Sequence, residues 1–228
     1  MPQLDGATGL SGSFSIDCIC TECDRAWIAI LKKTIADATN AFEDYDYTTA
    51  LQHIEDTFWN FCDNYLEIVK AQAYRGGGTA ESLSALAGLN WSLKTFLRLF
   101  APFMPFITEE IWSWNYKDES TSIHCAPWPT VEEAAAVDAP QNDKSFEAAT
   151  EVISRVNGFK TRSQVSLRTP VIEFAAAGSK EYIEALEGMI SYVVEATSCE
   201  AEPVLTVDDK VDPEEGHFKV EVKLGKYK

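Results

Sequence analysis

The chain has 228 residues, of which 46% are hydrophobic and 24% charged. This balance is typical of a soluble globular protein and excludes collagenous, disordered and membrane classes. Its longest nearly apolar run, residues 99–107, is half the length of a membrane span and contains two prolines. The net charge of −17, from 36 acidic and 19 basic residues, argues on composition alone against a nucleic-acid binder.

Neither a secretion signal nor an oxidising compartment is indicated. The first basic residue is Arg25, so no basic stretch followed by an apolar core opens the chain. We therefore expect a cytoplasmic protein whose six cysteines are thiols.

Charge is distributed unevenly along the chain. Residues 34–69 contain no Lys or Arg and eight acids, whereas residues 144–168 contain five basic residues and two acids. A locally basic face is therefore compatible with the acidic total.

The first half of the chain predicts helices. Residues 1–21 show no helical period, and we expect a poorly ordered leader. From Asp24 a first amphipathic helix runs to a turn at residues 44–46. A second begins with Asp46 or Thr48 as its cap and ends near Tyr74, where residues 76–78 are glycines. Its apolar positions recur at steps of three and four: Leu51, Ile54, Phe58, Phe61, Cys62, Tyr65 and Val69.

A third helix is predicted over residues 81–100, stopped by Pro102, and a fourth begins at Pro105, where the missing N–H is harmless. The expected inward positions of the third are Leu83, Leu86, Leu89, Leu93, Phe96, Leu97 and Phe100. Short connections favour an antiparallel bundle over residues 22–129.

The rest of the chain has a different pattern. Residues 130–143 are acidic and alanine-rich, and predict a linker. Residues 144–228 predict a small α+β domain with a helix from Phe146 to Phe159, a strand over 170–176, a helix over 182–190, and strands over 203–207 and 217–224. The predicted fold class is mainly α: an antiparallel helical bundle followed by a small α+β domain.

Catalytic and metal motifs are absent from the sequence. No glycine precedes the Lys-Ser/Thr pair of a phosphate loop, and His53, His124 and His217 stand in no nucleophile or metalloprotease motif. Cys18, Cys20 and Cys23 cluster, but a structural zinc needs four ligands. We expect no catalytic residue, no metal site and no cofactor in this chain.

Several segments resemble one family in order and spacing. Residues 23–28 (CDRAWI) are similar to the opening of the anticodon-binding domain of class I aminoacyl-tRNA synthetases. Four further segments resemble the valyl-tRNA synthetase version of this domain: residues 42–51 (FEDYDYTTAL), 58–70 (FWNFCDNYLEIVK), 99–112 (LFAPFMPFITEEIW) and 122–129 (SIHCAPWP). Residues 159–171 (FKTRSQVSLRTPV) resemble the segment that follows.

The resemblance implies a parent enzyme that joins valine to tRNA(Val) with ATP and Mg²⁺. The family's ATP-handling signatures, HIGH and KMSKS, do not occur here. The expected role is therefore anticodon recognition in the C-terminal part of the synthetase, with tRNA(Val) and the rest of the polypeptide as partners and no membrane. Two alternatives remain open: the equivalent domain of an isoleucyl-, leucyl- or methionyl-tRNA synthetase, and a noncatalytic helical module that binds a protein.

An anticodon module reads unstacked bases by stacking and hydrogen bonds, and holds the flanking backbone through phosphates. Trp59 lies about 100° round its helix from Phe58 and could stack a base, although burial on two sides is the favoured interpretation. For each cation, an ordinary solvated face is the alternative. The candidate tRNA-binding residues are Arg25, Trp59, Lys70, Arg75, Lys94, Arg98, Lys160, Arg162 and Arg168.

Overall fold

The computed structural model describes residues 14–75, 78–208, 211 and 216–226. The first part contains α1 (Glu22–Glu43), α2 (Tyr47–Asn60), α3 (Leu66–Arg75), α4 (Ala80–Phe100) and α5 (Pro105–Asn115). The second contains α6 (Ser145–Arg162), β1 (Val171–Gly178), α7 (Lys180–Glu187), α8 (Ile190–Ala196), β2 (Val204–Val207) and β3 (Phe218–Leu224). The predicted fold class, a helical bundle followed by a small α+β part, is confirmed.

The second predicted helix contains a π-helical segment, Phe61–Tyr65, between α2 and α3. Asp46 caps its beginning, as predicted, by accepting a hydrogen bond from the Thr49 N–H. The wider π turn keeps both Phe61 and Tyr65 inside the bundle. The Tyr65 ring stacks on Trp27 of α1, with ring centroids 4.8 Å apart.

The buried face of α4 differs from the predicted one. Phe96, Leu97 and Phe100 are buried as expected. Leu83 and Leu86 are only half-buried, however, and small residues such as Ser84, Ala85, Ala87 and Gly88 form the fully buried face. The physical reason is close approach, since a β-carbon at Gly88 would overlap the Tyr65 hydroxyl.

The predicted leader is wrong for the part that the structure describes. Residues 16–18 form a 3₁₀ turn, and Ile19 is buried in the core. The Cys20 N–H donates to the Ser84 hydroxyl at 3.0 Å, which ties this segment to α4. Residues 1–13 lie outside the described residues.

Residues 130–143, predicted as a linker, pack on the bundle. A 3₁₀ turn forms at Val131–Ala134, and both Ala134 and Val137 are buried. Beyond it, the Phe146 ring of α6 lies 5.6 Å from the Trp27 ring of α1. One hydrophobic core therefore runs from the bundle into the α+β part.

A three-stranded sheet of order β2-β1-β3 organises the second part. β1 pairs with β2 in parallel, and Ala175 of β1 lies opposite Val204. β1 pairs with β3 in the antiparallel orientation, and Phe174 of β1 lies opposite Val222. The predicted helix over 182–190 is divided into α7 and α8 at residues 188–189. α8 contacts both α6 and α3, and so connects the α+β part to the bundle.

Candidate RNA-binding surface

A groove of about 1020 Å³ opens beside α8, and we call it the α8 groove. Its walls come from the segment before β1, from α8 and the residues after it, and from the end of β3. Of the described residues that line it, Arg168 and Lys226 are basic, and Glu195 and Glu200 are acidic. The rest are Pro170, Ile172, Val194, Ser198, Cys199 and Gly225.

The end of α3 lies at the rim of this groove. Arg75 forms an ion pair with Glu195, and the Gln72 side chain donates to the same carboxylate at 2.8 Å. Tyr74, between them, is 86% exposed. Folding thus brings Arg75, through its pair with Glu195, and Arg168, predicted from a distant part of the sequence, to one surface.

Lys160 is a correction to the predicted binding residues. It is completely buried, and its ammonium donates to the carbonyls of Leu167 at 2.8 Å and Thr197 at 2.7 Å. Desolvation lowers the pKa of this lysine below its ordinary value. Lys160 therefore cannot touch an RNA ligand, and instead ties the segment before β1 to the end of α8.

The α6–β1 loop, residues 163–170, is hydrogen-bonded both to the end of α6 and within itself. The Val165 N–H donates to the Lys160 carbonyl at 3.1 Å, and the Thr169 N–H donates to the Ser166 carbonyl at 2.9 Å. Gln164 adopts a left-handed conformation with φ 56°. Arg162 and Arg168 flank this loop and are exposed. In the described structure neither guanidinium has an ion-pair partner, whereas Arg25, Arg75, Arg98 and Arg155 each pair with a carboxylate.

Arg98 is a second correction, because it lies inside the protein. Its guanidinium forms a bidentate pair with Glu133 at 2.7 and 2.6 Å, and its side chain is 4% exposed. Burial raises the Glu133 pKa, but the hydrogen bonds and charge of Arg98 outweigh it and hold that pKa below its ordinary value. Arg98 fastens residues 130–143 to α4 rather than presenting charge to a ligand.

The remaining predicted cations are held by acids. Lys94 pairs with Glu119 and lines a separate cavity of about 630 Å³ between α4 and α5. Arg25 pairs with Asp138 at 3.0 Å, and Lys70 pairs with Glu67 on its own helix. The structure therefore does not bring Arg25 or Lys94 to the α8 groove.

Trp59 stands apart from the groove, with an open face. It is 60% exposed, and its ring meets Phe58 edge-on at 5.8 Å. The favoured interpretation that two helices bury it is therefore wrong. Its indole face is accessible for stacking on a base.

A buried polar network, which the sequence analysis missed, joins α1 to the π segment and α4. Asp24 is 1% exposed and accepts hydrogen bonds from the hydroxyls of Tyr65 at 2.7 Å, Ser84 at 2.5 Å and Thr21 at 2.7 Å. Burial raises the Asp24 pKa, although the three hydroxyls oppose the shift. The only sequence signal was Thr21 three residues before Asp24, a helix-capping spacing.

The described residues show no group of three or more His, Cys, Asp or Glu side chains placed to hold a metal ion. Of the clustered cysteines, Cys20 is exposed and Cys23 is buried, and burial raises the Cys23 thiol pKa well above its ordinary value. Of the helices that the structure describes, none is both long and apolar enough to traverse a bilayer.

The chain is similar to known proteins over most of its length. The family described as the anticodon-binding domain of tRNA ligase matches residues 24–175, which run from the start of α1 into β1. A valine–tRNA ligase of Cutibacterium acnes is 38% identical over 190 residues, 82% of this chain and 21% of that protein. The enzyme of the same name from Thermobifida fusca is 39% identical over 199 residues, 84% of this chain and 22% of its own length.

A third relative, a valine–tRNA ligase of Bifidobacterium longum, is 34% identical over 180 residues, 76% of this chain and 20% of its own length. The chain thus spans about a fifth of the length of the curated relatives it matches. The resemblance to the valyl-tRNA synthetase anticodon-binding region is confirmed. Since the matched residues include all five helices of the bundle, together with α6, this chain belongs to the family of anticodon-binding domains of tRNA ligases.

Proposed function

We propose that this chain recognises the anticodon of tRNA(Val) as part of a valine–tRNA ligase. The observation that carries the proposal is the match over residues 24–175, together with relatives that all bear the name valine–tRNA ligase. The parent enzyme would attach valine to its tRNA with ATP and Mg²⁺ in the cytoplasm. The residues of this chain contain neither HIGH nor KMSKS, so we assign no step of that reaction to them.

Electrostatics supports RNA binding at the α8 groove in spite of the net charge of −17. Phosphate contacts need only a few cations on one face, and Arg168 and Lys226 line this groove, with Arg75 paired to Glu195 at its rim. Tyr74, next to Arg75 in the chain, has an exposed ring on which an unpaired base can stack. Acidic residues elsewhere repel nucleic acid that does not fit, which favours the correct RNA over others.

The two alternatives predict different binding. An anticodon domain of the isoleucyl, leucyl or methionyl type would bind tRNA but would not prefer tRNA(Val). A helical protein-interaction module would bind no tRNA.

Fluorescence anisotropy with labelled transcripts of tRNA(Val), tRNA(Ile), tRNA(Leu) and tRNA(Met) tests the proposal. We expect the tightest binding to tRNA(Val). Tyr74→Ala should weaken it, whereas Tyr45→Ala, at another exposed tyrosine in the α1–α2 turn, should not. Failure to bind any tRNA would overturn the proposal, and equal binding to all four would remove its specificity for valine.

A further inference from the structure

We propose that Lys160 is a positioning residue that locks the α6–β1 loop as a clamp for RNA phosphates, with Arg162 and Arg168 as the contacts. This inference rests on the proposed function, because it takes tRNA as the ligand. It adds a second binding element, which reads the sugar–phosphate backbone and no base.

The Lys160 ammonium is buried among main-chain carbonyls. Lys160 has no carboxylate partner among the described residues, and both of its hydrogen bonds go to main-chain carbonyls, one in the loop and one at the end of α8. A buried cation without a carboxylate is costly unless its donors are satisfied, and these two carbonyls accept hydrogen bonds from the ammonium. Its geometric effect is to fix the Leu167 peptide, next to Arg168, relative to α8.

The loop between the two arginines is held by hydrogen bonds of its own main chain. The Ser163 N–H donates to the Phe159 carbonyl at 2.9 Å, and the Gln164 N–H donates to the Thr161 carbonyl at 3.0 Å. On the other side of Leu167, the Arg168 N–H donates to the Ser166 hydroxyl at 3.2 Å. A loop held in this way loses little conformational entropy on binding, which favours affinity.

The guanidinium groups of Arg162 and Arg168 are accessible from solvent. The chain has nearly twice as many acids as bases, and its four other arginines are paired. Arg162 and Arg168 are exposed without an ion-pair partner in the described structure. Arg162 lies along α6, where its Nη1 is 3.3 Å from the place of a β-carbon on Gly158. Since no carboxylate of the described residues pairs with either guanidinium, both are accessible to an external anion.

The ligand chemistry follows from the donors. A guanidinium presents planar, paired N–H groups that match two phosphate oxygens, and such contacts position RNA without reading its sequence. Arg168 also lines the α8 groove, whose Glu195 pairs with Arg75, so a backbone held by the clamp lies beside that groove. The clamp is therefore expected to hold the stem of the RNA whose loop is bound at the groove.

The first test compares the salt dependence of tRNA(Val) binding in the full chain and in Arg162→Ala/Arg168→Ala. Each lost phosphate contact lowers the slope of log Kd against log salt by about 0.7 to 0.9, so the double variant should lose about 1.4 to 1.8. The matched control is Lys33→Ala/Lys117→Ala, which removes two exposed cations outside the clamp. An unchanged slope in the arginine variant, or an equal loss in the lysine control, would overturn the clamp.

The second test separates positioning from packing at Lys160. Lys160→Met should reduce the slope by a similar amount and speed hydrogen exchange at the Val165 and Thr169 amides. Lys160→Arg, which keeps a charged donor, should restore both. If Lys160→Met does not fold, the salt dependence of Arg162→Ala/Arg168→Ala still decides whether the loop binds phosphates.

If Lys160→Met speeds hydrogen exchange in the loop but leaves the salt dependence of tRNA(Val) binding unchanged, the positioning role of Lys160 is contradicted. If the unaltered chain binds no tRNA(Val), the proposed function fails. If it binds, but the arginine variant keeps its slope, only the clamp fails.

Discussion

Tyr65 connects three helices through one hydroxyl group. The hydroxyl donates to the buried Asp24 carboxylate, and the ring stacks on Trp27. Gly88 of α4 makes room for it. Each partner therefore constrains the others, and single changes in this group should have large effects.

Gly88→Ala should destabilise the chain by about 3 kcal/mol, because the new methyl group would displace the Tyr65 hydroxyl from Asp24. Urea unfolding measures the change. Gly188→Ala is the matched control, since its β-carbon would meet Glu22 Cγ at an ordinary 3.5 Å, and we expect a change below about 1 kcal/mol. Equal effects at both glycines would contradict the role of Gly88.

The raised pKa of Asp24 predicts a pH dependence of stability. The folded chain keeps the Asp24 proton to higher pH than the unfolded chain, whose ordinary value is 3.8. The free energy of unfolding therefore falls as the pH rises from 3.8 through the folded pKa. Asp24→Asn removes this titration, so urea unfolding of the two proteins should diverge in that window. Parallel curves would show that the pKa is not raised.

Residue type and spacing were only partly sufficient to predict which basic residues are exposed to an RNA ligand. Lys160, Arg162 and Arg168 are close in sequence and were predicted together, yet one is buried and two are exposed. Burial of Lys160 depends on the carbonyl of Thr197, which is distant in the chain. No local pattern indicates that contact. The favoured interpretation of Trp59 failed because the period of a helix does not show which of its faces a neighbour covers.

At the scale of elements, the π segment determines which aromatic side chains of the second helix enter the core. Phe61 is 9% exposed and its ring lies 5.7 Å from Trp27 and 5.5 Å from Phe96. Trp59, two residues earlier, points outward. Phe61 and Trp59 therefore offer a matched pair of substitutions, one buried and one exposed.

Phe61→Ala should lower the free energy of unfolding by about 3 to 5 kcal/mol, because it leaves a cavity between aromatic rings. Trp59→Ala should change it by less than about 1 kcal/mol, because most of the Trp59 surface is exposed. Urea unfolding compares the two variants. A small effect at Phe61, or a large one at Trp59, would mean that the helix is rotated from the orientation described.

Helix bounds agreed with the sequence where a local signal exists. Asp46 marks a start through its cap, and Pro105 occupies the first turn of α5. The π segment was not predicted, because its apolar stripe also fits an ordinary helix. The small-residue face of α4 was missed for a related reason: leucines suggest a core, whereas close approach of Tyr65 selects Ser, Ala and Gly.

At the scale of the whole molecule, the hydrophobic core continues from the bundle into the α+β part. The sequence predicted two domains and a linker because residues 130–143 are acidic and rich in alanine. Their burial depends on Arg98 and on the surface of α1, which composition does not show. The division into domains stays a prediction, and cooperativity of unfolding tests it.

We expect one unfolding transition for the whole chain. All six tryptophans lie before residue 130, so their fluorescence reports on the bundle, while hydrogen exchange at Phe174 and Ala176 reports on β1. The contact of Phe146 with Trp27 predicts coincident midpoints in urea. A sheet that unfolds at lower urea than the bundle would instead support two independent domains.

The most direct test of the central claim is anticodon transplantation. A tRNA(Met) transcript carrying the valine anticodon should bind this chain about as tightly as tRNA(Val), and tRNA(Val) carrying the methionine anticodon should lose its preference. If affinity follows the body of the tRNA instead of the anticodon, anticodon recognition by this chain is contradicted.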